Sequence, residues 1–178
     1  PGEAAQAKPF RGLKWDALEA GTRVPSILWW PGHVPAGRIC RGLTGALDIM
    51  PTLLEACGLN LPAPIEGLSP LDGQSQWGMI QDPALHGGRE SLLYWHGREG
   101  FQAIRMGRWK LFPVGSHASL EEGGPEGQKP ALFDLEQDPG ERINLAAKYP
   151  QRVEHMLQVS QAKRADIQAH RIPLGQAP

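Results

Sequence analysis

Cysteine is scarce, with only Cys40 and Cys57 in 178 residues. Two thiols at that spacing specify neither a disulfide framework nor a zinc site, and whether they pair stays open. No Asn-x-Ser/Thr sequon occurs, so glycosylation gives no reading of compartment. No apolar run approaches the roughly 20 residues that cross a bilayer. There is no block of basic residues, and the net charge is −1, which argues against bulk electrostatic binding to nucleic acid or an anionic membrane. The opening residues, "PGEAAQAKP", have neither a methionine nor the charged-then-apolar layout of a signal peptide, and the expectation is a start inside a longer chain.

What is present is the composition of a globular domain, 40% hydrophobic with six tryptophans. Glycine (22) and proline (17) exceed a fifth of the residues, which predicts many turns. Residues 1–25 read as loop. "SILWW" (26–30), bounded by Pro25 and Pro31, reads as a short strand covered on both faces. "DIMPTLLEAC" (48–57) is the strongest helix signal: Asp48 at the amino end, Pro51 in the first turn, Gly58 as the stop. Ile49, Met50, Leu53, Leu54 and Cys57 are expected to pack on a sheet. A proline- and glycine-rich connection comes next. Then come Leu92–Trp95, Phe101–Arg105, Trp109–Phe112 and 131–135, four short segments that predict an antiparallel meander. A last helix is expected over Gln151–His170, and the tryptophans are expected in core or edge packing.

Four collinear stretches carry a family likeness. Lys14, Glu19, Gly21, Arg23, Val24 and Pro25 match the pattern "GK-x(4)-EGG-x-RVP" in type and spacing. "ILWWPGHVPAG" continues it, "ALDIMPTLLEACGLNLP" comes after, and "LLYWHGREGFQAIRMGRWKLF" with "ALFDLEQDPGERINLA" completes the set. In that order the segments resemble the carboxy-terminal part of sulfatases of the alkaline-phosphatase-like superfamily. The resemblance implies an α/β fold: the last strand and helix of a large sulfatase-type sheet, plus a small C-terminal antiparallel four-stranded sheet packed with a terminal helix. It places residues 1–72 at the end of a catalytic domain and 73–178 in a C-terminal subdomain.

The same resemblance implies hydrolysis of sulfate esters, a sulfated small molecule or glycan as substrate, and a secreted, periplasmic or lysosomal setting. Family members use a formylglycine nucleophile made from a Cys/Ser-x-Pro-x-Arg motif, and a calcium ion held by Asp and Asn side chains. No cysteine or serine here opens such a motif, and the family's calcium ligands precede the lysine loop. The expectation is a chain without nucleophile or metal ligands, inactive by itself, that works with an N-terminal part of the same enzyme. Lys14 is then the catalytic residue, an ammonium suited to a tetrahedral anion. Glu19, Gly21 and Arg23 support its loop. His96 and Arg98 are candidates to hold a sugar hydroxyl or a second anion, with His33 a weaker one. His86, His117, His155 and His170 read as solvated. A non-catalytic glycan- or partner-binding module is the alternative, and a phosphomonoester or phosphonate hydrolase of the same superfamily a more distant one.

Overall fold

A computed structural model describes residues 8–60, 72–82, 88–97, 100–113 and 129–171. The chain divides into two compact units. One comprises the described residues of Pro1–Ser26 and Ser91–Gln161, the other those of Ile27–Glu90 and Ala162–Pro178. Leu18 and Glu19 are buried with the sheet of the first unit, so the lysine loop belongs to that unit.

The sheet of the first unit is a four-stranded antiparallel meander in the order β1 (Leu92–His96), β2 (Gly100–Met106), β3 (Trp109–Phe112) and β4 (Ala131–Asp134). Gly107, at φ 56°, supplies the left-handed residue of the two-residue turn between the Met106 and Trp109 pair. Because side chains alternate across a strand, the sheet has two buried faces. On one, Ile104, Leu111 and Leu132 meet Val153 and Met156 of α4 (Pro150–Ala169). On the other, Tyr94, Ala103, Phe112, Ala131 and Phe133 meet Leu18 of the loop. Each of the Leu, Ile, Val, Met and Phe side chains among these contributes about 1.5–3 kcal/mol when fully buried.

The outer edge of β4 is closed by the connection at Asn144 and Leu145. Asn144 Oδ1 accepts from the Leu132 N–H at 3.1 Å, and the Leu145 N–H donates to the Leu132 carbonyl at 2.8 Å. Helix α4 begins at Pro150, where the missing N–H costs nothing. It buries Val153, Met156 and Ser160, three and four residues apart, while its residues from Gln161 to Ala169 are exposed.

The second unit holds α2 (Ile49–Ala56), entered through a 3-10 turn at Ala46–Asp48, and α3 (Trp77–Gln81). The buried Asp48 carboxylate accepts from the backbone N–H groups of Gly45 (2.9 Å) and Gln74 (2.8 Å) and pairs with Arg89. Two expectations fail here. "SILWW" has no regular secondary structure and joins no strand among the described residues, with Ile27 93% and Trp29 82% exposed. Ile49, Met50 and Leu53 are likewise exposed, and α2 buries Pro51 and Thr52 instead. The physical reason is the same for both: all four described strands lie at Leu92 or beyond, so the unit that holds these segments has no strand of its own among the described residues. Cys40 and Cys57 are free and exposed.

Candidate functional site

The Lys14 turn is closed by its own backbone. The Asp16 N–H donates to the Leu13 carbonyl at 3.0 Å, the Leu13 N–H to Asp16 Oδ2 at 2.7 Å, and the Ala20 N–H to the Arg11 carbonyl at 2.9 Å. Trp15 adopts φ 85°, a left-handed conformation that an indole side chain seldom takes. At Gly21 a Cβ would lie 2.2 Å from the Asp16 carbonyl oxygen and 2.4 Å from that of Leu13, so only glycine fits that approach. Lys14 sits on the exposed crest, its Nζ 5.2 Å from the centre of the Trp15 ring.

Immediately after the crest the turn enters α1 (Glu19–Thr22), whose first residue is 1% exposed. Glu19 Oε1 receives Lys110 Nζ at 3.1 Å, and Oε2 receives Arg105 at 3.2 Å and Arg23 at 3.5 Å. The Glu19 backbone N–H donates to Glu141 Oε2 at 2.7 Å. Lys110 Nζ also lies 3.0 Å from Glu141 Oε1, and it rests 4.6 Å from the Tyr94 ring centre and 5.3 Å from that of Phe112. Lys110 and Glu141 are both 0% exposed. An ammonium held between two carboxylates and two aromatic faces is compensated on most sides, which is what a charge in the interior requires.

Strand periodicity explains why these groups meet. Lys110 and Phe112 point to the loop-covered face of β3, and Arg105 to the same face of β2 as Ala103. Glu141 arrives from the connection after β4, at φ 52°, with Asp138 Oδ2 accepting the N–H groups of Arg142 and Ile143 at 2.6 and 2.7 Å to hold that connection. Burial pushes the Glu141 carboxyl above the usual glutamate range, against the pull of Lys110. Burial, with the Glu19 charge second, pushes the Tyr94 hydroxyl from 10.0 up to about 12.

Lys14, Glu19, Gly21 and Arg23 therefore share one turn, and Arg23 pairs with Glu19 within it. Arg23 is half-exposed and lies over the Phe10 ring at 4.6 Å, so it adds little to Glu19's hold. Glu19's strongest partners are on the sheet. His96 ends β1 opposite Gly100 and is half-buried; Arg98, His86 and His117 lie outside the described residues. His33, in the other unit, stacks on Trp30 at 4.1 Å, and its carbonyl accepts from Gln81 Nε2 at 2.6 Å.

Sequence reasoning missed Arg105, Lys110, Glu141 and Tyr94. The signal was there in "RWKLF": a lysine two residues before an inward phenylalanine on a strand must be buried with it, and so needs an acid. Among the described residues no group of three His, Cys, Asp or Glu side chains is arranged to hold a metal ion. Glu19 and Glu141 are already matched by cations, so these residues do not fit the calcium ion that the sulfatase resemblance implies.

Residues 2–59 match the sulfatase family, and residues 87–176 match the family described as the C-terminal region of aryl-sulfatase. The chain is similar to N-acetylgalactosamine-6-sulfatase of Sus scrofa, with 28% identity over 82% of this chain and 30% of that protein. It is similar to steryl-sulfatase of Mus musculus, with 30% identity over 95% of this chain and 29% of that protein. It thus spans about 30% of the length of these relatives. Among solved structures, one from work on the metabolism of multiple glycosaminoglycans by Bacteroides thetaiotaomicron superposes with a TM-score of 0.69 and 26% identity, covering 88% of this chain and 32% of that one. With its terminal sheet and its lysine turn both inside the matched segments, the chain belongs to the sulfatase family.

Proposed function

We propose that this chain supplies Lys14 to the hydrolysis of a sulfate ester, in a cleft completed by sequence carrying a Cys/Ser-x-Pro-x-Arg motif and calcium ligands. The observation that carries the reading is the geometry of the turn: an exposed ammonium on a crest whose base is fixed in the sheet by the buried Glu19. In such a reaction charge accumulates on the sulfate oxygens and on the departing oxygen. An ammonium with three donors, held in place beforehand, stabilises both. Nucleophilic attack and metal binding fall to groups outside these 178 residues, and the chain by itself is inactive in this reading.

Residues 1–72 then close a catalytic domain and 73–178 form its C-terminal subdomain. The exposed apolar side chains of 27–29 and of α2 would face the remaining strands of a larger sheet, which makes them interior positions in the intact protein. The substrate is a sulfated small molecule or glycan. One relative is named for a sulfated sugar and another for steryl sulfate, so the sulfate is the common element and the alcohol varies. His96 and Arg98 are assigned to the alcohol side. The test compares three proteins on an aryl sulfate: this chain alone, the chain joined to a segment bearing the motif, and the joined protein with Lys14→Ala. Turnover only in the second, with a loss of about 10²–10³-fold in the third, is expected. Equal turnover by the second and third removes Lys14 from the mechanism.

A second reading, a non-catalytic glycan- or partner-binding module, is favoured by the absence of any Cys/Ser-x-Pro-x-Arg in the chain. The upstream reading frame decides between them: an in-frame motif supports the enzyme, and its absence supports the module.

A further inference from the structure

We propose that Glu141, acting with Lys110 through Glu19, is a positioning residue for Lys14, so that a buried cluster on the sheet sets where the catalytic ammonium stands; this rests on Lys14 being catalytic. Residue 19 is gripped at both of its polar ends. Its N–H donates to Glu141 Oε2 at 2.7 Å, and its carboxylate is held by Lys110 at 3.1 Å and Arg105 at 3.2 Å. The short span from Lys14 to Glu19 has little freedom, because the Leu13–Asp16 bonds close its crest and the Ala20 N–H to Arg11 carbonyl bond closes its neck. Leu18, buried against Tyr94, Phe112 and Phe133, prevents the neck from lifting off the sheet. Rotation or translation of residue 19 is therefore passed to the crest nearly undiminished.

Glu141 is brought to the cluster from far along the chain. It is 122 residues from Glu19 in sequence, fully buried, and held in a left-handed conformation that glutamate rarely adopts. A backbone that keeps a strained residue in order to aim its carboxylate at another loop's N–H is a device for fixing that loop. Lys110 compensates both carboxylates, so Glu19 and Glu141 can approach the same point without repulsion deciding the geometry.

The test is a double-mutant cycle in the protein where this chain is joined to a motif-bearing segment, with kcat/KM on an aryl sulfate and the melting temperature as paired readouts. Glu141→Gln keeps size and still accepts the Glu19 N–H, but loses the charge that holds Lys110. It is expected to lower kcat/KM by about 10- to 100-fold where Lys14 is intact, since a misplacement of about 1 Å has that effect. In the Lys14→Ala background it should change kcat/KM by less than about twofold, while lowering the melting temperature equally in both backgrounds. A merely structural role would give the same fractional loss in both. Additive losses, or no loss with Lys14 present, overturn the positioning role. A Lys14→Ala protein as active as the parent instead overturns the underlying assignment of Lys14, and is recognised from that single variant. Should Glu141→Gln not fold, Arg105→Gln repeats the cycle from the other end of the Glu19 carboxylate. Its side chain is 17% exposed, so no fully buried charge is created, and the same non-additivity is expected.

Discussion

Replacing Lys110 with methionine removes one charge from the buried cluster while keeping an unbranched apolar stem against the Tyr94 and Phe112 rings. Glu19 retains Arg105 at 3.2 Å and Arg23 at 3.5 Å, but Glu141 loses the cation 3.0 Å from its Oε1. The two effects oppose each other. Methionine spares the desolvation of an ammonium, whereas an uncompensated carboxylate at a fully buried position destabilises by about 3–5 kcal/mol when one partner of a buried pair is removed. The second effect should dominate, because Glu141 is 0% exposed and water cannot replace the lost partner. At about 2–4 °C per kcal/mol for a chain of this size, Lys110→Met should melt roughly 6–20 °C lower. Burial already raises the Glu141 carboxyl, and Lys110 opposes that rise. Without Lys110 the carboxyl binds a proton more readily when folded than when unfolded. The deficit is therefore full at neutral pH and narrows as pH falls toward 4.5, the ordinary glutamate value. Adding Glu141→Gln should recover about 1–3 kcal/mol. Thermal melting and urea unfolding, each followed by tryptophan fluorescence at several pH values, read these quantities. A variant within about 1 kcal/mol of the parent at neutral pH, with no recovery in the double variant, refutes the reasoning.

Gly21→Ala should lower stability by about 1–3 kcal/mol in the same urea assay, because two backbone oxygens at 2.2 and 2.4 Å must give way; an unchanged midpoint would show that the turn is looser than its geometry. Tyr94 keeps its proton in the folded protein up to about 12 but loses it near 10.0 when unfolded, so the unfolded state sheds protons first as pH rises. Its contribution to stability should fall between those values, and ultraviolet difference titration of the parent against Tyr94→Phe checks it: a folded tyrosine titrating near its ordinary value contradicts the buried setting.

The terminal sheet was legible in the amino-acid order because its strands are short, separated by glycine, and read almost residue by residue as the structure has them: Leu92–Trp95 against Leu92–His96, and Trp109–Phe112 without change. Gln151–His170 was legible for a similar reason, as Pro150 marks its start. "SILWW" and the apolar side of α2 were read as buried because their composition is that of an interior. Composition states what a segment needs and not whether a partner is at hand, and their own unit holds no strand among the described residues. The Lys14 turn was found by motif, together with Glu19 and Gly21. The cluster that holds it was not, since Lys110 and Glu141 come from positions 91 and 122 residues beyond Glu19. No local pattern pairs such residues; only the meander and the connection after β4 bring them to one point.

The proposed role of Lys14 turns on where its ammonium stands when substrate is bound. A structure of the motif-bearing protein with inorganic sulfate in its cleft measures that directly. The expected result is Lys14 Nζ swung away from the Trp15 ring to within about 3 Å of a sulfate oxygen, with the Glu19–Lys110–Glu141 cluster unchanged. Sulfate bound elsewhere, with the ammonium still resting on the indole and facing solvent, would contradict a catalytic role for Lys14.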